Sequence, residues 1–481
     1  MANTEQNVVI AVLDTARAKE IYSPHVDTPR LDELAETGVS FENAYADAPW
    51  TLPSHGSIFT GCSPSKHGAH ADNKYLDDHL KKLPETLREN GFDTLAVTNN
   101  AWVTDEFGFG TGFDSVFRTW QLFQTETDFG EIAMTTDGVD QIKKSAKSLL
   151  ANPIYNTLNA IYGKLLYRRN DYGANRTNQI IESQLKEVEQ PYFLFVNYLE
   201  PHLEYDPPAS YARKYLPDSI SYDEAQDVPQ KPWEYLCQRI DMTEAEFDIL
   251  RSLYSAEISY IDSKIGQVVD LLKERGDWDD TIFIVLGDHG ENIGDHGFMD
   301  HQYCLYDTLL HVPVIISGGA IESGSTGTDP IQLSDIYPTV LDLLNISDEE
   351  SETQFQGQSV FSDDVRRKVV SEYMAAQPSM DSLTTKVGDV PDQVHQLDRR
   401  LRAIRVDGHK LIRSSDGEKE IYDVENDAEE QTDLSDEHQD VLSELESELD
   451  DWLESFDQHT SSVDPSVSNK TESRLEDLGY I

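Results

Sequence analysis

Two apolar runs in this chain stop on acids. Val8-Val9-Ile10-Ala11-Val12-Leu13 leads into Asp14, and Thr281-Ile282-Phe283-Ile284-Val285-Leu286-Gly287 leads into Asp288-His289-Gly290. A strand buried on both faces reads as an unbroken apolar run, which is the pattern of a parallel sheet covered by helices. Open α/β sheets hold their ligands beyond the carboxyl ends of such strands. Asp14 and Asp288, far apart in sequence, are therefore expected to meet at one metal ion. A hard cation held there points to a hydrolase of an anionic ester.

The rest of the chain supports the same architecture. Asp93–Thr98 is expected to be a strand ending at Asn99-Asn100, Pro191–Asn197 one ending near Glu200-Pro201-His202, and Val312–Ile316 another. Between them lie helical periods at Thr28–Ala35, with Thr28 as cap and Pro29 in the first turn, at Leu80–Asn90, at Phe247–Arg275 and at Asp335–Leu344. Alternating strands and helices predict an α/β fold, a large and mainly parallel sheet flanked by helices. Residues 1–365 are read as this catalytic domain, with a helical insertion over 120–190. Residues 366–481 are read as a small subdomain. In it, Leu401–Ile412 forms two strands around Asp407-Gly408, Glu420–Val424 a third, 426–456 an acidic and partly helical stretch, and 457–470 a linker.

Composition narrows the partners. The net charge is −52, from 38 Lys plus Arg against 90 Asp plus Glu. Self-repulsion of this size strains a compact state and is relieved where salt is concentrated, so a halophilic protein is expected. The same surface disfavours nucleic acid and anionic membranes. Cys62, Cys237 and Cys304 form no disulfide framework. No secretory leader or membrane-length apolar run is recognised, which gives a cytoplasmic expectation. The oligomeric state is left open.

Thr51-Leu52-Pro53-Ser54-His55-Gly56-Ser57-Ile58-Phe59-Thr60-Gly61 predicts a helix with Pro53 in its first turn and Gly61 at its end. Thr51 then lies at the positive end of the helix dipole, where an alkoxide or an anionic ester is stabilised. Bound to a metal, its hydroxyl becomes a nucleophile. The same spacing also fits a threonine that merely caps the helix.

Taken in order, these segments resemble the sulfatase family of the alkaline phosphatase superfamily. The resemblance runs from Val8–Asp14 through Gly38–Tyr45, Thr51–Gly61 and Asp288-His289-Gly290-Glu291. It continues through Leu305-Tyr306-Asp307 with Val312-Pro313, Asp335 with Pro338-Thr339, and Ile421-Tyr422-Asp423 with Asn426-Asp427. It covers nearly the whole chain outside the insertion and the acidic tail. Sulfatases begin a C/S-x-P-S-R segment with a Cys or Ser that is oxidised to formylglycine. Thr51 stands there instead, and His55 replaces the Arg. Cys62-Ser63-Pro64-Ser65-Lys66 imitates the motif, but Ala71-Asp72 occupies the place of its T-G, and Cys62 directly follows Thr60-Gly61. The nucleophile position therefore falls on Thr51, and no formylglycine is expected.

Carried over by position, the resemblance implies a divalent metal cation at Asp14, Thr51, Asp288 and His289, with Thr15 where many sulfatases have a second acid. His289 falls where phosphonate ester hydrolases and nucleotide phosphodiesterases also have His. Carboxylates and a hydroxyl suit Ca²⁺ or Mg²⁺, while the imidazole tilts the set toward Mn²⁺ or Zn²⁺. His202 and His301 match groups near the leaving oxygen and are the expected proton donors, and His55 is counted with the catalytic set. Arg17 and Lys66 could offset ester charge or pair with acids. Asn100 is placed at a strand end, and His67, His70, His296, Lys410 and Tyr422-Asp423 are read as structural. The implied activity is hydrolysis of a small-molecule sulfate ester. A threonine nucleophile equally suits a phosphodiester or phosphonate monoester, and loss of the modifiable Cys leaves room for a catalytically weak metal-binding protein.

Overall fold

The computed structural model describes residues 6–121, 171–319, 321 and 325–459, together with 467–468, 471–472 and 474–475. Eight strands form the main sheet: β1 (Asn7–Leu13), β2 (Val39–Phe41), β3 (Asp93–Thr98), β4 (Ser115–Arg118), β5 (Tyr192–Tyr198), β6 (Thr281–Gly287), β7 (Val314–Ser317) and β8 (Ser325–Gly327). Their order is β8-β2-β7-β6-β1-β5-β3-β4. Only β7 runs against the others. The expected α/β architecture, mainly parallel and flanked by helices, is the one found.

Strand alternation explains the two layers of core. Val8, Ile10 and Val12 of β1 join Ile282, Ile284 and Leu286 of β6 in one cluster. Val9, Ala11 and Leu13 face the other way, with Phe283 and Val285. Side chains of a strand point alternately to opposite faces, so a run apolar at every position has to be covered twice. Burying each such Val, Leu or Ile contributes about 1.5–3 kcal/mol. One cover is the long helix Glu244–Arg275, whose residues Leu250, Leu253, Ile258, Ile261 and Ile265 lie in the second cluster.

Element ends differ from the sequence reading for local reasons. β7 begins at Val314 rather than Val312, because Pro313 has no N–H for the ladder. The helix expected over Leu80–Asn90 spans Leu83–Glu89, with Pro84 in its first turn. The long helix starts before Phe247 because Thr243 and Glu246 form a capping box. Helix Pro29–Thr37 is not capped by the Thr28 side chain. Asp262 of the long helix accepts from Arg30 N and Leu31 N at 3.0 and 2.8 Å.

Of the helical stretch expected over 120–190, residues 122–170 lie outside the described residues; a helix follows at Ala174–Gln184. Near the C-terminus a separate antiparallel sheet orders β9 (Lys368–Tyr373), β10 (Leu401–Val406), β11 (His409–Ser414) and β12 (Lys419–Asp423) in sequence. Asp407 and Gly408 both take positive φ, 45° and 79°, which a two-residue hairpin of the favoured twist requires. β9 was not anticipated: only Val369 and Val370 are aliphatic, and Arg366, Arg367 and Lys368 precede them. The acidic helix Gln439–Glu454 covers one face through Leu442, Leu445 and Leu449. The other face joins the main core through Tyr373, Leu401, Ala403 and Ile412. Part of the expected linker, 460–466 and 469–470, lies outside the described residues.

Candidate active site

Neighbouring parallel strands set the site. Leu13 of β1 pairs with Gly287 of β6, so Asp14 and Asp288 leave the sheet side by side at its carboxyl edge. On the other side of β1, Asp14 N donates to Tyr198 O of β5 at 3.1 Å, and Asn99 N after β3 donates to Asn197 O at 3.1 Å. The same edge thus also presents Asn100, Glu200 and His202.

Each acid has one oxygen anchored. Asp14 Oδ2 accepts from Asn100 Nδ2 at 2.6 Å. Asp288 Oδ1 accepts from the amides of Thr15 and His289 at 3.1 and 3.0 Å. The other oxygens, Asp14 Oδ1 and Asp288 Oδ2, are fully buried with no hydrogen-bond partner among the described residues. Both face His289 Nε2, at 3.8 and 3.5 Å. His289 Nδ1 lies 2.9 Å from Gly290 O, a group that only accepts, so this nitrogen carries the proton and Nε2 presents its lone pair. Burial, followed by the neighbouring His301, holds the His289 imidazole well below its usual pKa. Three acceptors facing one another inside a protein are costly unless a cation lies between them. Asp14, Asp288 and His289 therefore fit a divalent metal.

Thr51 joins them from the helix Thr51–Thr60, which starts after the extended Trp50 and ends at Gly61 in a left-handed conformation. Gly61 is required there: its φ is 68°, and a Cβ would lie 2.6 Å from the Phe355 ring. Ser54 Oγ donates to Asp288 O at 2.6 Å and ties the first turn of the helix to the end of β6. Thr51 Oγ1 comes within 3.4 Å of His289 Nε2 and accepts from Asn100 Nδ2 at 3.3 Å. The four residues expected to share a cation, Asp14, Thr51, Asp288 and His289, are brought together, and the strand-end Asn100 bonds two of them.

The histidines separate by environment. His301 Nδ1 lies between Asp300 Oδ1 at 2.6 Å and Glu291 Oε1 at 3.1 Å. Burial alone would lower its pKa, but Asp300 and Glu291 outweigh burial and hold it well above the usual value. His202 packs edge-on against His301, with ring centroids 5.2 Å apart. Burial and the neighbouring His301 push it down to about 3. His301 in turn lies 4.5 Å from the His289 ring. His55 sits one turn below Thr51, its Nδ1 2.9 Å from Thr51 O and 3.4 Å from Asp288 Oδ2. Burial lowers it to about 4, so it carries no charge with which to replace an arginine.

Other expected residues are engaged by partners outside the Asp14–Thr51–Asp288–His289 cluster. Cys62 is at the far end of the Thr51 helix, about 15 Å along the axis for ten residues. Its Sγ donates to Gln354 O, and burial pushes the thiol up to about 12. Arg17 pairs with Glu20 and Asp295. Lys66 donates to Gln354 O, and His67 packs under the helix against Pro53 O. Lys410 is buried between Asp307 and Glu430. Glu291 and Asp300 were missed as functional neighbours. Glu291 closes the Asp288-His289-Gly290-Glu291 segment and Asp300 precedes His301, but their approach to one imidazole arises from a fold of the chain between them.

A doubly covered sheet of this topology, with a metal-competent cluster of side chains at its carboxyl edge, defines the class of fold. Within that class the chain is a member of the sulfatase family, whose description, Sulfatase, is matched over residues 6–346. Members of this family are sulfuric ester hydrolases. The chain is 25% identical to a sulfatase of Formosa agariphila over 431 residues, covering 84% of this chain and 77% of that protein. It is 24% identical to the arylsulfatase of Clostridium perfringens over 363 residues, 71% of this chain and 75% of that one. Its fold is similar to the phosphonate monoester hydrolase of Agrobacterium radiobacter, with a TM-score of 0.65 at 18% identity, covering 93% and 95% of the two chains. It is also similar to a protein solved with its substrate D-glucosamine-2-N,6-O-disulfate, with a TM-score of 0.67 at 17% identity, covering 94% and 98%. Among the described residues no helix is long and apolar enough to cross a membrane.

Proposed function

We propose that the chain is a metal-dependent hydrolase of small-molecule sulfate esters that uses Thr51 as its nucleophile and needs no formylglycine. The observation that carries this is the approach of Thr51 Oγ1 to the lone-pair side of His289, beside one unsatisfied oxygen on each of Asp14 and Asp288. A divalent cation held by Asp14, Asp288, His289 and Thr51 supplies positive charge to the non-bridging ester oxygens and makes the threonine hydroxyl more acidic. Asn100 fixes both Asp14 and Thr51, and the helix N-terminus favours negative charge at Thr51.

Thr51 releases its hydroxyl proton to solvent, and its Oγ1 attacks sulfur in line, forming a threonine sulfate ester as the bond from sulfur to the alcohol oxygen breaks. The departing oxygen takes a proton from His301, the cationic member of the His202–His301 pair. Two titratable groups pushed in opposite directions mark which one is the acid. Water then attacks the threonine ester, and sulfate leaves with the hydroxyl of Thr51 restored.

A second reading, hydrolysis of a phosphodiester or phosphonate monoester, draws on the same nucleophile. A formylglycine hydrate expels sulfate by breaking its own carbon–oxygen bond, whereas a threonine ester has to be hydrolysed at sulfur or phosphorus. Turnover of an aryl sulfate, a bis-aryl phosphate and an aryl phosphonate by the metal-loaded protein, beside Thr51→Ala, separates the readings. Faster hydrolysis of the sulfate supports the first, and faster hydrolysis of either phosphorus ester supports the second. No Thr51-dependent turnover of any of the three leaves a metal-binding protein without this chemistry. We read the −52 charge as adaptation to concentrated salt, tested by whether the melting temperature rises between 0.1 and 2 M KCl.

A further inference from the structure

Separate from the strand-end site, three donor groups from opposite ends of the chain meet at the surface. Asp77 and His79 follow the short helix Pro64–His67, and His459 comes from the stretch after the acidic helix. The backbone of His459 is fixed, its N donating to Ser65 O at 2.8 Å. The His79 and His459 rings stack at 3.5 Å with 14° between their planes. Each turns one nitrogen to the same carboxylate: His79 Nδ1 to Asp77 Oδ1, and His459 Nε2 to Asp77 Oδ2 at 2.9 Å.

The far side of His79 fixes its tautomer. Nε2 lies 3.2 Å from Lys66 O, which only accepts, so Nε2 carries the proton. A neutral His79 then points a lone pair at a carboxylate. Either a second proton on His79 or a cation between the groups resolves this clash. The three ligand atoms lie within 4.8 Å of one another. In a tetrahedral site, metal–ligand bonds of about 2.0–2.2 Å bring ligand atoms to roughly 3.4 Å. The side chains of Asp77, His79 and His459 are 19%, 29% and 27% exposed, which leaves room for water as a fourth ligand. Two imidazoles and one carboxylate are donors for borderline first-row cations.

We propose that Asp77, His79 and His459 bind a divalent first-row cation of the Zn²⁺ class and so clamp the C-terminal stretch to the Pro64–His67 corner. The chain beyond the clamp returns to the body. Ser468 and Thr471 donate to Glu106 at 2.9 Å each, and Arg474 Nη2 reaches Asn99 O at 3.3 Å, one residue from Asn100. The clamp fastens the near end of a segment whose far end packs beside the catalytic edge.

The test counts metal. Protein carrying Asp14→Asn and Asp288→Asn, which removes both carboxylates of the strand-end site, is dialysed against Zn²⁺ with and without His459→Ala, and bound zinc is measured by plasma mass spectrometry. One equivalent that is lost with His459→Ala is the expected result. Equal zinc in the two proteins overturns the proposal in favour of a protonated His79 without metal. Should the double variant fail to fold, wild type against His459→Ala gives the same comparison, since His459 lies at the surface: a difference of one equivalent supports the site and no difference overturns it. Titration with Co²⁺ reads the ligands directly. In the background lacking the Asp14 and Asp288 carboxylates, a visible absorption band that disappears when His79→Ala is added is expected, and an identical spectrum with and without His79→Ala overturns the assignment.

Discussion

Asp14 and Asp288 leave adjacent parallel strands at the same register level, each with one oxygen pinned and the other unsatisfied. Asn100 holds the first, and the amides of Thr15 and His289 hold the second. The pairing of β1 with β6 therefore fixes the spacing of the two carboxylates before any ligand arrives, and the cost of holding like charges together is built into the sheet.

That cost predicts how metal removal depends on pH. Burial pushes Asp14 up to about 7, and burial with the charge of Asp14 holds Asp288 well above the usual carboxylate range. An unfolded aspartate titrates near about 3.9, so the metal-free native state binds these protons more tightly than the unfolded state does. Its stability therefore falls as pH rises from about 4 through about 7. EDTA should lower the melting temperature little at pH 5 and clearly more at pH 8, read by scanning calorimetry. In EDTA at pH 8, Asp14→Asn should melt no lower than wild type. An EDTA effect of the same size at both pH values would contradict the linkage.

Thr51→Ala should lower kcat by about 10³-fold or more, because no neighbouring group replaces a nucleophile that works with its surroundings as a unit. Thr51→Ser keeps the hydroxyl and should retain measurable activity. Cys62→Ser should leave kcat within about twofold, since Cys62 sits at the far end of the helix with its thiol protonated. Steady-state kinetics on one aryl ester decides. Loss of activity in Cys62→Ser with survival in Thr51→Ala would exchange the two roles.

Much of the sheet was legible because its central strands carry an unmistakable pattern. β6 was bounded correctly and β1 nearly so, since a fully buried strand needs apolar residues at every position and stops where polarity begins. Edge strands gave less signal. Ser115–Arg118 and Ser325–Gly327 are short, and their sequences do not differ from loops. At the site, strand ends located Asp14, Asn100 and Asp288 without any side-chain detail. The pairing of Glu291 and Asp300 on one imidazole was not legible, because it depends on how the eight residues between them fold back. Nor was the Asp262 cap, in which a long-range carboxylate takes the place of the expected Thr28. Local pattern shows what a residue can do; a partner hundreds of positions away comes only with the fold.

Lys410 tests the joint between the C-terminal sheet and the body. Its ammonium lies 2.7 Å from Asp307 and 2.6 Å from Glu430, with Lys410 and Glu430 almost wholly buried. Removing one partner of a buried pair leaves the other charge uncompensated, at a cost of about 3–5 kcal/mol. Lys410→Met should lower the urea midpoint accordingly. Lys19→Met, which breaks the exposed pair with Glu429, should cost less than about 1 kcal/mol. Equal effects would show that Lys410 does not hold the joint.

His301 is held as a cation by Asp300 and Glu291, while His202 beside it is held neutral by burial and by His301 itself. A donor matters most when the departing oxygen is a poor leaving group, and general acid catalysis typically contributes about 10²–10⁴-fold. His301→Gln should therefore slow an alkyl ester by about that range and a nitrophenyl ester far less, steepening the dependence of kcat/KM on leaving-group pKa. His202→Gln should lower both rates by similar factors, since it acts by packing against His301 at 5.2 Å rather than by supplying the proton. If His202→Gln produces the steeper dependence and His301→Gln does not, the neutral member of the pair is the donor, and the two acids beside His301 then serve to hold its ring in place.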